Sequence, residues 1–400
     1  MGRVLQSAGA EVRLLAPQVE AADQLDVPCR GFGDRHELAQ ALADSDVVVA
    51  KPQGPTVMRE LRRSGNRLIF DLLYPDVLEK LERVVEPDGF KRRLRIAITL
   101  DRFNEAMRIG HNFICGSERQ FDLWVGGMMA NGFIRPSVYD SDPSLRSVID
   151  VVPFGLPEGR PEPDPDPWGS SFPEIAAGDE VILWNGGIWP WMDAQTAIRA
   201  VAELASRRPR ARLIFMPGPG SGVGRDASTR ARALASDLGV LNRHVFFNEE
   251  WVPYQARGSW LAAADCMVLC HGEGLEARFA FHSRVLDCFW AGLPPVSTDG
   301  DVFSDEIERE DLGAIAPSGD HAAVAGALER VLDRGRESYG AKLEAAADRY
   351  RWEKTVQPLI GFALSKGERQ RLGRSAPRSA ASALRTIALR LTEARFRAQG

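Results

Sequence analysis

Glu276-Ala-Arg-Phe-Ala-Phe-His-Ser-Arg-Val-Leu-Asp-Cys-Phe-Trp-Ala-Gly-Leu-Pro-Pro-Val-Ser-Thr298 follows a glycine-rich turn, His271-Gly-Glu-Gly274. The stretch opens with an acid, runs as an amphipathic helix through Arg284 and Asp287, and stops at Ala291-Gly292 before a short expected strand, Pro295–Thr298. A strand is expected just upstream, at Cys266 to Cys270. Strand, glycine loop, helix and strand together make a βαβ unit, and in open parallel sheets the crevice at the strand carboxyl ends is where ligands bind. An acid and an arginine there suit a ligand that carries hydroxyls and phosphates.

The same alternation extends in both directions. Downstream of the Pro- and acid-rich stretch Pro157 to Pro173, strands are expected at 180–185, 211–216, 244–247, 266–270, 295–298 and 313–316. Helices are expected at 193–206, 226–238, 255–263, 278–291, 321–333 and 338–349. Upstream, strands are expected at Glu11–Ala16, 46–51, 67–72, 112–116 and 148–152, with helices at 36–43, 55–63, 91–108 and 118–131. Residues 3–8 read as the end of a helix. The strand and glycine turn that usually open a doubly wound domain are missing before it, so a preceding segment is expected outside this sequence. Short apolar strands between helices predict α/β architecture with parallel sheets covered on both faces.

Composition narrows the function classes. Four hundred residues exceed one ordinary core, and 44% hydrophobic with 26% charged residues is the balance of a soluble globular protein. A net charge of −5 gives no case for nucleic acid. Cys29, Cys115, Cys266, Cys270 and Cys288 form no Cys-x-x-Cys pair, which with no signal peptide predicts a reducing cytoplasm. No apolar run is long enough to span a bilayer. The span between Lys91 and Lys342 holds no lysine, which removes Schiff-base and pyridoxal-phosphate chemistry from the motifs inside it. Phosphates met there must be met by arginine, backbone N–H groups or a helix end.

Glu276, Arg284, Asp287 and Ala291-Gly292-Leu293-Pro294 resemble the donor-sugar signature of retaining GT-B glycosyltransferases of the GT4 class (glycosyltransferase group 1). They are most similar to a bacterial branch reading Glu-Thr-Arg-Phe-Ser-Phe-Arg-Thr-Arg, then Leu-Asp and Trp-Ala-Gly-Leu-Pro. Further runs resemble that branch: Phe113 to Gln120, Asp150 to Pro157, Leu183 to Ala200 and Phe246 to Tyr254. The resemblance implies a GT-B fold, two Rossmann-like doubly wound parallel-sheet domains facing a cleft. The divisions expected are an acceptor-side domain 1–156, a linker 157–177, a nucleotide-sugar domain 178–350, a helix 351–365 crossing back, and a basic amphipathic tail 366–400. That tail carries eight arginines and an apolar stripe of Leu384, Ile387 and Leu391, which fits either a membrane-surface helix or a solvated terminal helix.

By the resemblance, Arg284 and the Gly186-Gly187 turn hold the diphosphate, with Arg278, His282 and Ser283 beside them. The class commonly has a lysine beyond that turn, and here there is none. Glu276 reaches the donor sugar, Asp287 accepts from the ribose hydroxyls, and Trp251 and Val252 offer backbone groups to the nucleobase. An alternative for Asp287 is a plain ion pair with Arg284 one turn earlier, and for Ser117, which the resemblance puts at the cleft, a plain helix N-cap. Two departures stand out: Asp287 replaces the usual Glu, and His282 replaces an Arg. The expected activity is transfer of a sugar from a nucleotide-diphosphate sugar to a saccharide, lipid-linked or small-molecule acceptor, with retention, as a hexosyltransferase of polysaccharide biosynthesis would do. No cofactor or metal is expected, because zinc-ligand spacing is absent and, of the Asp-x-Asp pairs at 44/46, 140/142, 164/166 and 299/301, about two would arise by chance and none follows the first domain's sheet in the expected context. An inert nucleotide-sugar-binding partner and a GT-B nucleotide-sugar epimerase are the rival readings. The expected location is cytoplasmic, with peripheral contact on the inner membrane face under the membrane reading of the tail.

Overall fold

The computed structural model describes residues 1–19, 27–82, 89–164, 167–218, 223–365 and 372. It forms two compact units, Met1–Gly155 together with the chain from Trp352 onward, and Leu156–Arg351. The expected basic tail lies outside the described residues, apart from Leu372, which is buried in the core of the first unit.

In the first unit the strands are β1 (Leu14–Ala16), β2 (Cys29–Gly31), β3 (Val47–Ala50), β4 (Arg67–Asp71), β5 (Asn112–Cys115) and β6 (Ile149–Val151). All pairings are parallel, but among the described residues they make two sheets rather than one: β1-β2, and β3-β4-β5-β6. β2 was not expected from the sequence, because Cys-Arg-Gly is too short to show alternation. Successive residues of a strand face opposite ways, and the two cores follow that rule. Leu68, Phe70, Phe113 and Cys115 join one core with Phe103, Ala106 and Met107 of the helix Phe90–Ile109. Ile69 and Ile114 join the other, with Leu5, Val356, Leu359 and Phe362. The helix Gln357–Leu364 therefore packs on the first unit. Ser117 is an N-cap, its hydroxyl accepting from Gln120 N at 3.2 Å.

The second unit holds β7 (Glu180–Trp184), β8 (Ala211–Phe215), β9 (Val245–Phe247), β10 (Cys266–Leu269), β11 (Pro295–Thr298) and β12 (Ala314–Ala316). They form one all-parallel sheet of order β12-β11-β10-β7-β8-β9. β9, β10 and β11 are buried at every residue, as strands covered on both faces must be; β9 and β10 accordingly read as apolar runs, while β11 buries Ser297 and Thr298 as well. Strands added after β7 go to one side and those from β10 onward to the other. The order therefore reverses between β7 and β10, and a ligand crevice opens at such a reversal.

One expected helix needs correction. Residues 278–291 are not a single helix but two pieces, Leu275–Phe279 and Arg284–Ala291, with Ala280 extended at φ −67°, ψ 149°. The break turns consecutive side chains inward: Phe281 packs on Phe303 at 5.0 Å between ring centroids, and His282 reaches Asp301. Neighbouring positions on a continuous helix point about 100° apart, so one helix would not place both. The second piece ends at Gly292 in the left-handed region (φ 64°), where Gly292 N and Leu293 N donate to Phe289 O and Cys288 O. Lys342 also belongs to this unit, on its surface and paired with Asp311 at 2.7 Å.

Candidate active site

β7 and β10 flank the reversal in strand order, and the expected site residues follow them. After β7 come Asn185, Gly186 and Gly187; after β10 come His271 and the segment from Glu276 to Asp287. The two loops are tied together. Asp193 N donates to Cys270 O at 2.9 Å, and Met192 bridges to His271.

Gly186 lies against the stem of Arg284, where a β-carbon would stand 3.4 Å from Arg284 Cγ. This close approach sets the guanidinium beside the β7 turn, with the Arg284 side chain 41% exposed and available to a ligand. Behind it, Asp287 is buried and both of its oxygens are engaged. Oδ1 pairs with Arg257 Nη1 at 3.2 Å; Oδ2 accepts from Arg284 Nη1 at 3.3 Å and from Asn185 Nδ2 at 3.2 Å. The expected ribose acceptor is thus placed as an anchor for two arginines, which is the ion-pair alternative extended by Arg257. Burial pushes the Asp287 carboxyl up, and Arg257 and Arg284 oppose that shift.

Glu276 sits in the first turn of the helix Leu275–Phe279 and is buried, while Arg278 is exposed with its guanidinium 5.8 Å from the Phe279 ring. Ser283 stands immediately before Arg284 and makes no side-chain cap, leaving that helix start uncapped. His282 turns inward, its Nδ1 3.0 Å from Asp301 Oδ2. It is therefore not brought beside Arg284 as an added diphosphate contact.

The turn Asn248–Val252 follows β9. Asn248 holds it by donating through Nδ2 to Met216 O (2.9 Å) and Glu250 O (2.7 Å), and Gly218 allows the Glu250 carbonyl to come within 3.0 Å of where a β-carbon would be. Trp251 is 80% exposed and Val252 packs on the core. Beside the β7 turn, Trp189 and Trp191 stack at 5.5 Å and nearly parallel.

Sequence reasoning missed Arg257 and Asn185. Arg257 opens the helix Arg257–Ala263, and its guanidinium lies over the rings of Tyr254 (4.4 Å) and Trp290 (5.5 Å). Only its place just after the aromatic turn hinted at a role. Asn185 was read as the end of a strand, although it is the polar residue that joins β7 to Asp287.

The two parallel α/β units define the class: the fold is that of GT-B glycosyltransferases, and solved structures of such enzymes overlay the chain. A glycosyltransferase from Rickettsia africae ESF-5 is 12% identical, with a TM-score of 0.64 over 92% of this chain and 93% of that one. Anabaena Alr3699/HepE in complex with UDP-glucose is 14% identical, TM-score 0.66, over 90% and 93%. WaaG, a glycosyltransferase involved in lipopolysaccharide biosynthesis, is 16% identical, TM-score 0.59, over 91% and 94%. At such identities the likeness is one of fold. More particularly, residues 179–334, the span that carries the site, match the family described as Glycosyl transferases group 1. A search of curated proteins by sequence found no match.

Proposed function

We propose that this chain transfers a sugar from a nucleotide-diphosphate sugar to a saccharide, lipid-linked or small-molecule acceptor, with retention of anomeric configuration and without a metal in the transfer step. The observation that carries the reading is the Gly186–Arg284 contact at the reversal between β7 and β10. A glycine turn and a partly exposed arginine lie side by side there, and backbone amides with a guanidinium are the groups a departing diphosphate requires. The match of residues 179–334 to group 1 glycosyl transferases supports the same chemistry.

In this reading the roles divide by strand. Arg284 and the Gly186-Gly187 amides neutralise the diphosphate as the anomeric bond breaks. Arg257, held with Arg284 by Asp287, adds positive potential from beneath. Glu276 engages the donor sugar from the β10 side, and the backbone of Trp251 and Val252 meets the nucleobase. Since Anabaena HepE holds UDP-glucose, UDP-sugars are the first donors to test. A hexose is the sugar class proposed, and an acceptor of polysaccharide biosynthesis is the class to try first.

Calorimetric titration with UDP, dTDP and GDP tests the binding half. We expect saturable binding of one of the three, weakened in Arg284→Ala. No binding of any nucleoside diphosphate would overturn the proposal. Glu276→Gln tests the chemical half: kcat should fall about a hundred-fold or more with KM little changed, as for a group that acts in the transition state. Unchanged kcat would remove Glu276 from the mechanism.

A further inference from the structure

Three buried polar side chains beside the donor site have no part in that mechanism. His271 follows β10, His282 lies in the helix break, and Asp301 follows β11. Their nearest ligand atoms all lie within 4.8 Å of one another. His282 Nδ1 is 3.0 Å from Asp301 Oδ2, His271 Nε2 is 3.9 Å from the same oxygen, and the two imidazoles stack at 4.8 Å.

The surroundings fix which atoms face inward. His271 Nδ1 lies 3.4 Å from Gly272 O, so the proton belongs on Nδ1 and Nε2 carries its lone pair; Nε2 has no hydrogen-bond partner and is fully buried. Asp301 Oδ1 accepts from Phe303 N (2.9 Å), Ser304 N (2.7 Å) and Ser304 Oγ (3.0 Å), which leaves Oδ2 to face the histidines. Two lone-pair atoms, one on a carboxylate, thus oppose each other in the interior. That juxtaposition is complementary to a cation. Such outer hydrogen bonds to a carboxylate and to the far nitrogen of an imidazole are the support that metal ligands ordinarily have.

We propose that His271, His282 and Asp301 hold one divalent ion of the zinc class, as a buried clamp joining the loop after β10, the helix break and the loop after β11. Tetrahedral bonds of about 2.0–2.1 Å place ligand atoms about 3.4 Å apart. The two histidine–carboxylate separations, 3.0 and 3.9 Å, bracket that spacing, and all three ligand atoms lie within 4.8 Å, so binding requires the imidazoles to close in on the ion. Two imidazoles and one carboxylate, with no thiolate, suit zinc. A water completes the fourth position. The ion is structural: His282 stands two residues before Arg284, so the clamp fixes where the arginine-bearing helix begins, and the transfer step does not pass through it.

The test uses the full chain after chelator treatment and dialysis, with Zn²⁺ and Co²⁺ as probes and no donor or acceptor present. It therefore reports separately from the transferase reading. We expect one tightly held Zn²⁺ per chain by equilibrium dialysis, the visible bands of tetrahedral Co²⁺, and a melting midpoint that rises with the logarithm of Zn²⁺ concentration. His271→Ala and Asp301→Asn should lose all three, while the double variant His36→Ala/His321→Ala, which removes two exposed histidines, should keep them. Should the first two variants fail to fold, the wild-type Co²⁺ spectrum decides. Absence of tetrahedral bands in the wild type, or unchanged stoichiometry in His271→Ala, overturns the site.

Discussion

Asp287 holds Arg284 in place at some expense of stability. Asp287 is buried, and burial raises its pKa above 3.8 despite two arginines. The folded chain therefore binds more protons than the unfolded chain between 3.8 and that raised value. This residue's contribution to stability is fully present below 3.8 and is lost as pH rises through the raised pKa. Asp287→Asn, a fixed neutral stand-in, should then remove this pH dependence. The wild type should lose stability relative to it as pH rises from acid to neutral, which denaturant titrations at several pH values will show. Donor affinity should nevertheless fall, because Arg257 and Arg284 lose the anchor that spaces them. Arg284→Ala removes the charge-assisted contact itself and should weaken nucleotide binding about ten- to a hundred-fold, measured by calorimetry. At this scale the sequence singled out Arg284 and the glycine turn, which the fold sets side by side. It was silent on Arg257, because an arginine 30 positions before Asp287 reaches it only through the fold.

Helix and strand boundaries came mostly from periodicity, and the exceptions have physical causes. The helices Pro55–Arg63 and Glu118–Ala130 lie within a residue of where their apolar spacing and caps put them. Residues 278–291 satisfied the helical pattern yet break, because Phe281 and His282 are both drawn inward by Phe303 and Asp301. Tertiary contacts of that kind leave no mark on local spacing. The same limit applies to His271, His282 and Asp301, whose separations in sequence match no zinc motif although the chain folds them together. A tight crossing elsewhere supplies an element-scale prediction. A β-carbon at Gly313, just before β12, would run into the carbonyl oxygen of Pro295 in the neighbouring β11. Backbone cannot give way as a side chain can, so Gly313→Ala should cost about 3 kcal/mol. Chemical denaturation would show it as a lower midpoint at unchanged m-value.

Across the whole chain, alternation of strands and helices and the acid-rich stretch after Pro157 sufficed for a two-part α/β reading. The order of strands did not follow from them. Nothing in the spacing of β7 to β12 says that β10 returns to the other side of β7, yet that return makes neighbours of the two strands that lead into Gly186 and into the segment from Glu276. In the first unit the division into β1-β2 and β3-β4-β5-β6 was likewise invisible to periodicity, which reports faces and not neighbours. Among the described residues no helix is long and apolar enough to cross a membrane. The most direct test of the proposed activity is release of nucleoside diphosphate from UDP-, dTDP- and GDP-hexoses without acceptor, comparing the wild type with Arg284→Ala. Slow release from one donor class by the wild type, reduced at least about ten-fold in the variant, is the predicted result. Equal release by both proteins, or nucleotide binding with no release from any donor, even when candidate acceptors are supplied, would contradict a transferase built on this site.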